Sequence, residues 1–178
     1  KHLRLNNDNP FGRTYDPRLS EIAERIPDVD VDMALHEGRK DLRGLPFVTI
    51  DPKTAKDFDD AVCLVEEEDK KTLWIAIADV SHYILPDTAL DDEAKARATS
   101  VYLPHTVLPM LPSKLSDNLC SLKEKVPRLA MALSIEIESD WAVGNVEAFE
   151  SLILVKENLS YEDVVGNPRF ENMLTLAK

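Results

Sequence analysis

The chain has 178 residues, 44% hydrophobic and 30% charged, with a formal charge of -12. That length supports one domain able to bury roughly 70% of the surface its unfolded chain exposes, and no apolar run approaches the ~18 residues of a membrane-spanning helix. The acidic surplus argues against strong nucleic-acid binding by this chain alone, because phosphate contact calls for a basic face.

The opening residues Lys1 to Asn7 lack the apolar core of a signal peptide. Cys63 and Cys120 stand far apart without CxxC spacing. Neither a zinc site nor a disulfide framework is indicated, and a reducing cytoplasm is the expected location.

Residues 1–40 read as a lead-in segment with short helices, the first 15 residues being polar and turn-like. Asp16-Pro17 reads as an N-cap followed by proline at the first helical position. Leu19, Ile22, Ala23 and Ile26 follow at helical spacing, which predicts a helix over 17–26 ended by Pro27. A second helix is expected over 31–37 with Gly38 as its stop.

Leu45 to Ile50 reads as a strand that delivers Asp51 at its end. Residues 59–66 and 72–79 read as a hairpin across the polar turn Glu67 to Lys71. The stretch Leu73 to Ala78 is apolar on both faces, which predicts a central strand of a covered sheet. Residues 89–99 are rich in helix formers. Pro104, Pro109 and Pro112 then predict an extended, irregular path.

Residues 128–138 alternate, which predicts a half-buried strand with Leu129, Met131, Leu133, Ile135 and Ile137 inward. After a turn at 142–145 its partner returns over 146–156, and Ser160 to Asp163 resembles a capping box opening a terminal helix. The elements add up to an α+β domain with a largely antiparallel or mixed sheet packed with helices.

The window Asp51 to Asp60 carries four aspartates, Asp51, Asp57, Asp59 and Asp60, between two apolar runs. Two unit charges 4 Å apart interact by about 4 kcal/mol at an effective dielectric near 20. A fold that gathers four of them needs a compensating cation. All-oxygen ligands select a hard ion, Mg²⁺ or Mn²⁺ before zinc, and clustered aspartates with such ions serve phosphodiester cleavage. A solvated acidic loop is the plainer reading of the same charges.

An EF-hand starting at Asp57 fails because Ala61 and Val62 stand where an acidic residue and a glycine are needed. A haloacid-dehalogenase-style aspartyl phosphatase is a remote alternative, with Ala61 in place of Thr or Val. Lys53 and Lys56 either touch phosphate or offset the carboxylates. Asp79 and Ser81 end a strand and read as turn residues sooner than as supports behind the acidic site, His82 and His105 as structural, Trp74 as core and Cys120 as buried and inert.

Several motifs in the same order resemble the catalytic RNB domain of the ribonuclease II / ribonuclease R family. They include Asp41-Leu-Arg-Gly-Leu-Pro46, Thr49-Ile-Asp51-Pro52, Asp57-Phe-Asp59-Asp60-Ala61-Val62 and Trp74-Ile-Ala-Ile-Ala-Asp79. They continue with Thr99-Ser-Val-Tyr102-Leu-Pro104, Leu115-Ser-Asp-Asn-Leu-Cys120 and Leu159-Ser-Tyr161-Glu-Asp-Val164. The wording is closer to the bacterial ribonuclease R branch.

The resemblance implies that residues 41–178 are the N-terminal part of the catalytic domain of a metal-dependent, processive 3′→5′ exoribonuclease. Such an enzyme engages the 3′ end of single-stranded RNA and releases nucleoside 5′-monophosphates. By resemblance Asp51, Asp57, Asp59 and Asp60 are the catalytic and metal-site aspartates. Tyr102 stacks on RNA near its 3′ end, and Tyr161 contacts the terminal sugar. Left to spacing alone, Tyr102 reads as a core or rim aromatic and Tyr161 as a helix-start residue packing on the sheet.

A complete family domain is longer and adds an arginine-rich motif, a further stacking aromatic, and cold-shock and S1 RNA-binding modules. The chain is therefore expected to be a piece of a larger protein, weak or inactive alone. The alternative is a non-catalytic module that binds RNA or a protein partner.

Overall fold

A computed structural model describes residues 15–68, 70–103, 106–138 and 141–176. In chain order the first elements are α1 (Pro17–Glu24), α2 (Val31–His36), β1 (Lys40–Asp41), β2 (Val48–Asp51), β3 (Asp60–Glu67) and β4 (Lys70–Ala78). Then come α3 (Val80–Tyr83), α4 (Ala89–Arg97), β5 (Val101–Leu103), β6 (Thr106–Leu108) and a π-helical turn, Leu115–Leu119. The last part holds β7 (Pro127–Ile137), β8 (Val143–Leu154), β9 (Glu157–Ser160), α5 (Tyr161–Val164), a 3₁₀ turn (Pro168–Phe170) and α6 (Glu171–Leu176). The expected turns over residues 1–14 and at Pro104 lie outside the described residues.

The chain divides into two compact units, residues 1–28 with 80–119 and residues 29–79 with 120–178. In the first, the Asp16 side chain accepts from the Arg18 N–H at 2.9 Å and caps α1, which buries Leu19 and Ala23. Tyr15 donates its hydroxyl proton to the Met110 carbonyl, and the Arg97 guanidinium lies 4.1 Å from its ring centroid. Arg97 is buried and paired with Glu93 at 2.8 Å. Burial of the Tyr15 phenol, opposed by Arg97, pushes its pKa up to about 12.

The segment after α4 corrects the expectation of an irregular path. Val101, Tyr102 and Leu103 pair antiparallel with Leu108, Val107 and Thr106. Pro109 and Pro112 fall after β6 and so take no N–H from its ladder.

The second unit is built on a seven-stranded mixed sheet in the order β1-β8-β7-β4-β3-β2-β9. β1 runs parallel to β8 and β9 parallel to β2, while the other neighbours are antiparallel. β4 is the middle strand, as its apolar sequence predicts. One face is covered over β2, β3 and β9 by Val164, Phe170, Met173 and Leu174 from the C-terminal helices.

β7 alternates as expected, but its burial is reversed at the centre. Met131 and Leu133 are 41% and 38% exposed, whereas Ala130, Ala132 and Ser134 are buried. The Trp74 and Phe149 rings, 6.0 Å apart, come from the strands on either side of β7 on the face of Ala132 and Ser134. Two large rings fill the space that small residues leave, so the layer packs over alanine and serine rather than over methionine and leucine.

Candidate functional site

β2 ends at Asp51 and the antiparallel β3 begins at Asp60, so both strands deliver their carboxylates to one end of the sheet. β9, parallel to β2, ends at the same place, with Ser160 opposite Asp51 in register. Tyr161 is therefore one residue beyond the strand partner of Asp51, half exposed at the start of α5. Asp163 reaches back to accept from the Ser160 N–H at 2.9 Å and from its hydroxyl at 2.6 Å, as part of the expected capping box, and so fixes where Tyr161 leaves the strand.

The connection from Asp51 to Asp60 is held from below. Residues 52–55 turn through an Ala55 N–H to Pro52 carbonyl bond of 2.8 Å. The fully buried Ser121 hydroxyl donates to the Lys56 carbonyl at 2.7 Å and accepts from the Phe58 N–H at 3.1 Å. The Leu122 N–H reaches the Phe58 carbonyl and the Ala78 N–H reaches the Asp59 carbonyl, at 2.8 and 2.9 Å. Arg128, itself buried, donates to the Ser121 carbonyl at 3.0 Å. Asp57 and Asp59 thus ride on a backbone whose polar groups are satisfied from two directions.

The carboxylates act on one another. Burial raises the Asp51 pKa, a hydrogen bond from Thr49 opposes that rise, and the charges of Asp60 and Asp57 add to it. Asp59 lies at the surface, yet partial desolvation and then the charges of Asp57, Asp60 and Asp51 raise its pKa also. The negative charge around Asp51 and Asp59 opposes the ionisation of these two carboxyls.

Among the described residues, no group of three or more His, Cys, Asp or Glu side chains closes into a ready-made metal cage. The donor set nonetheless suits a hard divalent ion, being all carboxylate oxygen. Asp51 Oδ2 is buried with no hydrogen-bond partner, an orphan acceptor of the kind a cation satisfies.

Other sequence candidates fall elsewhere. Tyr102 belongs to the first unit, 63% exposed on β5. Lys53 lies 3.8 Å from Glu162 with both side chains exposed. Asp79 is not a simple turn residue: it is buried at the end of β4 and pairs with buried Arg39 at 2.7 Å. Cys63 and Cys120 are buried, and burial pushes both thiols up to about 12.

Thr49, Arg39, Ser121 and Asn158 escaped the sequence reading. Thr49 alone carried a signal, since a residue two before Asp51 on a strand shares its face. The others reach partners 34 or more residues away.

A family model described as "RNB domain" matches residues 39–166. The chain belongs to the RNB-domain family. Curated relatives of this RNB chain include Ribonuclease R of Chlamydia muridarum, 48% identical over 75% of this chain and 19% of that protein. Ribonuclease R of Escherichia coli K12 is 47% identical over 85% of this chain and 18% of its own length. The RNB chain thus spans about a fifth of the length of the relatives it matches.

Among solved structures, Mycoplasma genitalium RNase R in complex with ribose-methylated single-stranded RNA superposes with a TM-score of 0.81 at 31% identity. That match covers 93% of this chain and 25% of that one. Yeast Ssd1, described as a pseudonuclease, shares the fold with a TM-score of 0.75 at 18% identity, over 85% of this chain and 20% of its own.

Proposed function

We propose that this chain carries the acidic centre of a processive 3′→5′ exoribonuclease of the ribonuclease II/R type, acting on the 3′ end of single-stranded RNA and releasing nucleoside 5′-monophosphates. The observation that supports this most is the gathering of Asp51, Asp57, Asp59 and Asp60 at one end of the sheet, with Asp51 and Asp59 both driven up in pKa by burial and by their neighbours. RNA binding by the Mycoplasma genitalium RNase R adds to it.

Asp51, Asp57, Asp59 and Asp60 would hold Mg²⁺ or Mn²⁺, with Asp51 Oδ2 offering a buried acceptor that has no hydrogen-bond partner among the described residues. Such an ion, when bound, supplies Lewis-acid polarisation of the phosphate and an acidified water. The chain's own residues do the rest. The aspartates repel an approaching phosphodiester unless their charge is balanced, so the cluster admits RNA only together with its cation. Tyr161 reads the terminal sugar through its hydroxyl, the way proteins tell RNA from DNA. Tyr102 stacks on a base, a contact that tolerates any sequence. Cytoplasmic RNA turnover, with cold-shock and S1 modules elsewhere in the longer protein, completes the proposal.

The second reading, a module that binds RNA or a partner without cleaving, is favoured by the charge of -12 and by the pseudonuclease that shares this fold. Two measurements separate them. The isolated chain should bind Mn²⁺ weakly and degrade RNA poorly. In the full-length protein Asp59→Asn should keep RNA binding and lose turnover. Unchanged turnover in that variant rules the exoribonuclease reading out.

A further inference from the structure

Residues 52–59 lie between β2 and β3 and belong to neither strand, yet four successive peptide groups there are tied to the protein behind them. The carbonyl of the Lys56–Asp57 peptide accepts from the Ser121 hydroxyl at 2.7 Å. The N–H of the next peptide, at Phe58, donates to the same oxygen at 3.1 Å. The Phe58 carbonyl then takes the Leu122 N–H at 2.8 Å, and the Asp59 carbonyl takes the Ala78 N–H at 2.9 Å.

A peptide group is planar, so the chain turns at each residue only about φ and ψ. Holding the peptide on either side of a residue restrains both angles, and with them the direction of its Cα–Cβ bond. Asp57 lies between the two peptides that Ser121 holds. Asp59 lies between those held by Leu122 and Ala78. One hydroxyl can serve both sides of Asp57 because it donates its proton and accepts on a lone pair. Ser121 is itself fully buried, and its carbonyl accepts from Arg128 Nε at 3.0 Å and from the Lys123 N–H at 2.8 Å. The Asn158 amide closes the residues that follow, accepting from the Glu124 N–H at 2.9 Å and donating to the Leu122 carbonyl at 3.0 Å.

We propose that Ser121 is a positioning residue of the acidic centre: through the two peptides that flank Asp57 it sets the direction in which that carboxylate leaves the loop, before any cation is bound. A divalent ion then meets ligands already aimed, rather than a chain whose ordering would be charged against its binding. The proposal rests on the metal reading above.

The test compares two buried serines. Ser151, also fully buried, donates to the Ala130 carbonyl at 2.8 Å from β8, three strands away from β3. Ser151→Ala is therefore the control for losing a buried hydroxyl away from the loop. The readouts are Mn²⁺ titration of the 178-residue chain by calorimetry and crystal structures of the variants. Losing a group that orients a metal ligand typically weakens binding about 10- to 100-fold. Ser121→Ala should bind Mn²⁺ at least about tenfold more weakly than wild type, with Asp57 Cβ displaced, while Ser151→Ala binds as wild type does. Ser121→Cys, which exchanges the hydroxyl for a weak thiol donor, covers an alanine variant that does not fold and should move both readouts the same way. Wild-type affinity in a folded Ser121 variant, an equal loss in Ser151→Ala, or an unmoved Asp57 overturns the proposal. If the wild type binds no Mn²⁺, the metal reading fails, and the position of Asp57 in the variant structures still decides whether Ser121 sets it.

Discussion

Replacing Arg39 by methionine should be among the most damaging single changes in the second unit. Its guanidinium lies 2.7 Å from Asp79 Oδ2, and the two side chains are 6% and 4% exposed. Methionine keeps much of the apolar stem and removes the charge, leaving a carboxylate sealed away from water. Breaking a buried pair from one side costs about 3–5 kcal/mol, a large share of the ~5–15 kcal/mol that holds a whole domain. With a urea slope of about 2 kcal/mol per molar, the unfolding midpoint should fall by about 2 M.

The assay is equilibrium urea unfolding followed by tryptophan fluorescence, since Trp74 lies on β4, the strand that ends beside Asp79. Replacing both partners, Arg39→Met with Asp79→Leu, removes the stranded charge and should recover most of the loss. The reasoning fails if the single variant costs less than about 1 kcal/mol, within the range of an exposed ion pair. It fails equally if the double variant is as unstable as the single one.

Three further outcomes are expected. Asp59→Asn should stabilise the chain at neutral pH by under about 1 kcal/mol, because solvent screening limits a surface carboxylate. The raised pKa of Asp59 means that its ionised form opposes folding, so this gain should fade as pH falls through that pKa and the wild-type carboxyl takes up its proton; thermal melts from pH 4 to 8 measure it. Ser121→Ala removes both hydrogen bonds that hold the loop at Lys56 and Phe58, costing about 2 kcal/mol, and amide exchange at Phe58 should quicken. Neither Cys63 nor Cys120 should react with a thiol reagent at pH 8 in the folded protein, and both should react in denaturant, since burial holds each thiol near 12.

The local elements were legible in the amino-acid order because their causes are local. Asp16-Pro17 starts α1, and Gly38, with φ of 93°, follows α2 where a stop was expected. The apolar run Leu73 to Ala78 is the middle of the sheet, since only a strand flanked on both edges has reason to lack polar residues. The acidic window announced itself through charge crowding that no solvent-facing loop requires.

What the order of residues did not reveal is which distant groups meet. Alternation on β7 showed two faces but not which one is buried. That was decided by Trp74 and Phe149, large rings brought alongside by neighbouring strands. Asp79 looked like a turn until Arg39, 40 residues earlier, closed on it. Placing β9 beside β2 turned an ordinary asparagine into a hydrogen-bond donor to Thr49, and set Tyr161 next to the carboxylates.

Sequence alone determined the strand that carries Asp51, the helix caps and the crowding of acidic residues, each written within a few residues. Tertiary structure alone decided the burial, the pairing and the hydrogen-bond directions, because these depend on strand order and on which groups lose their water together.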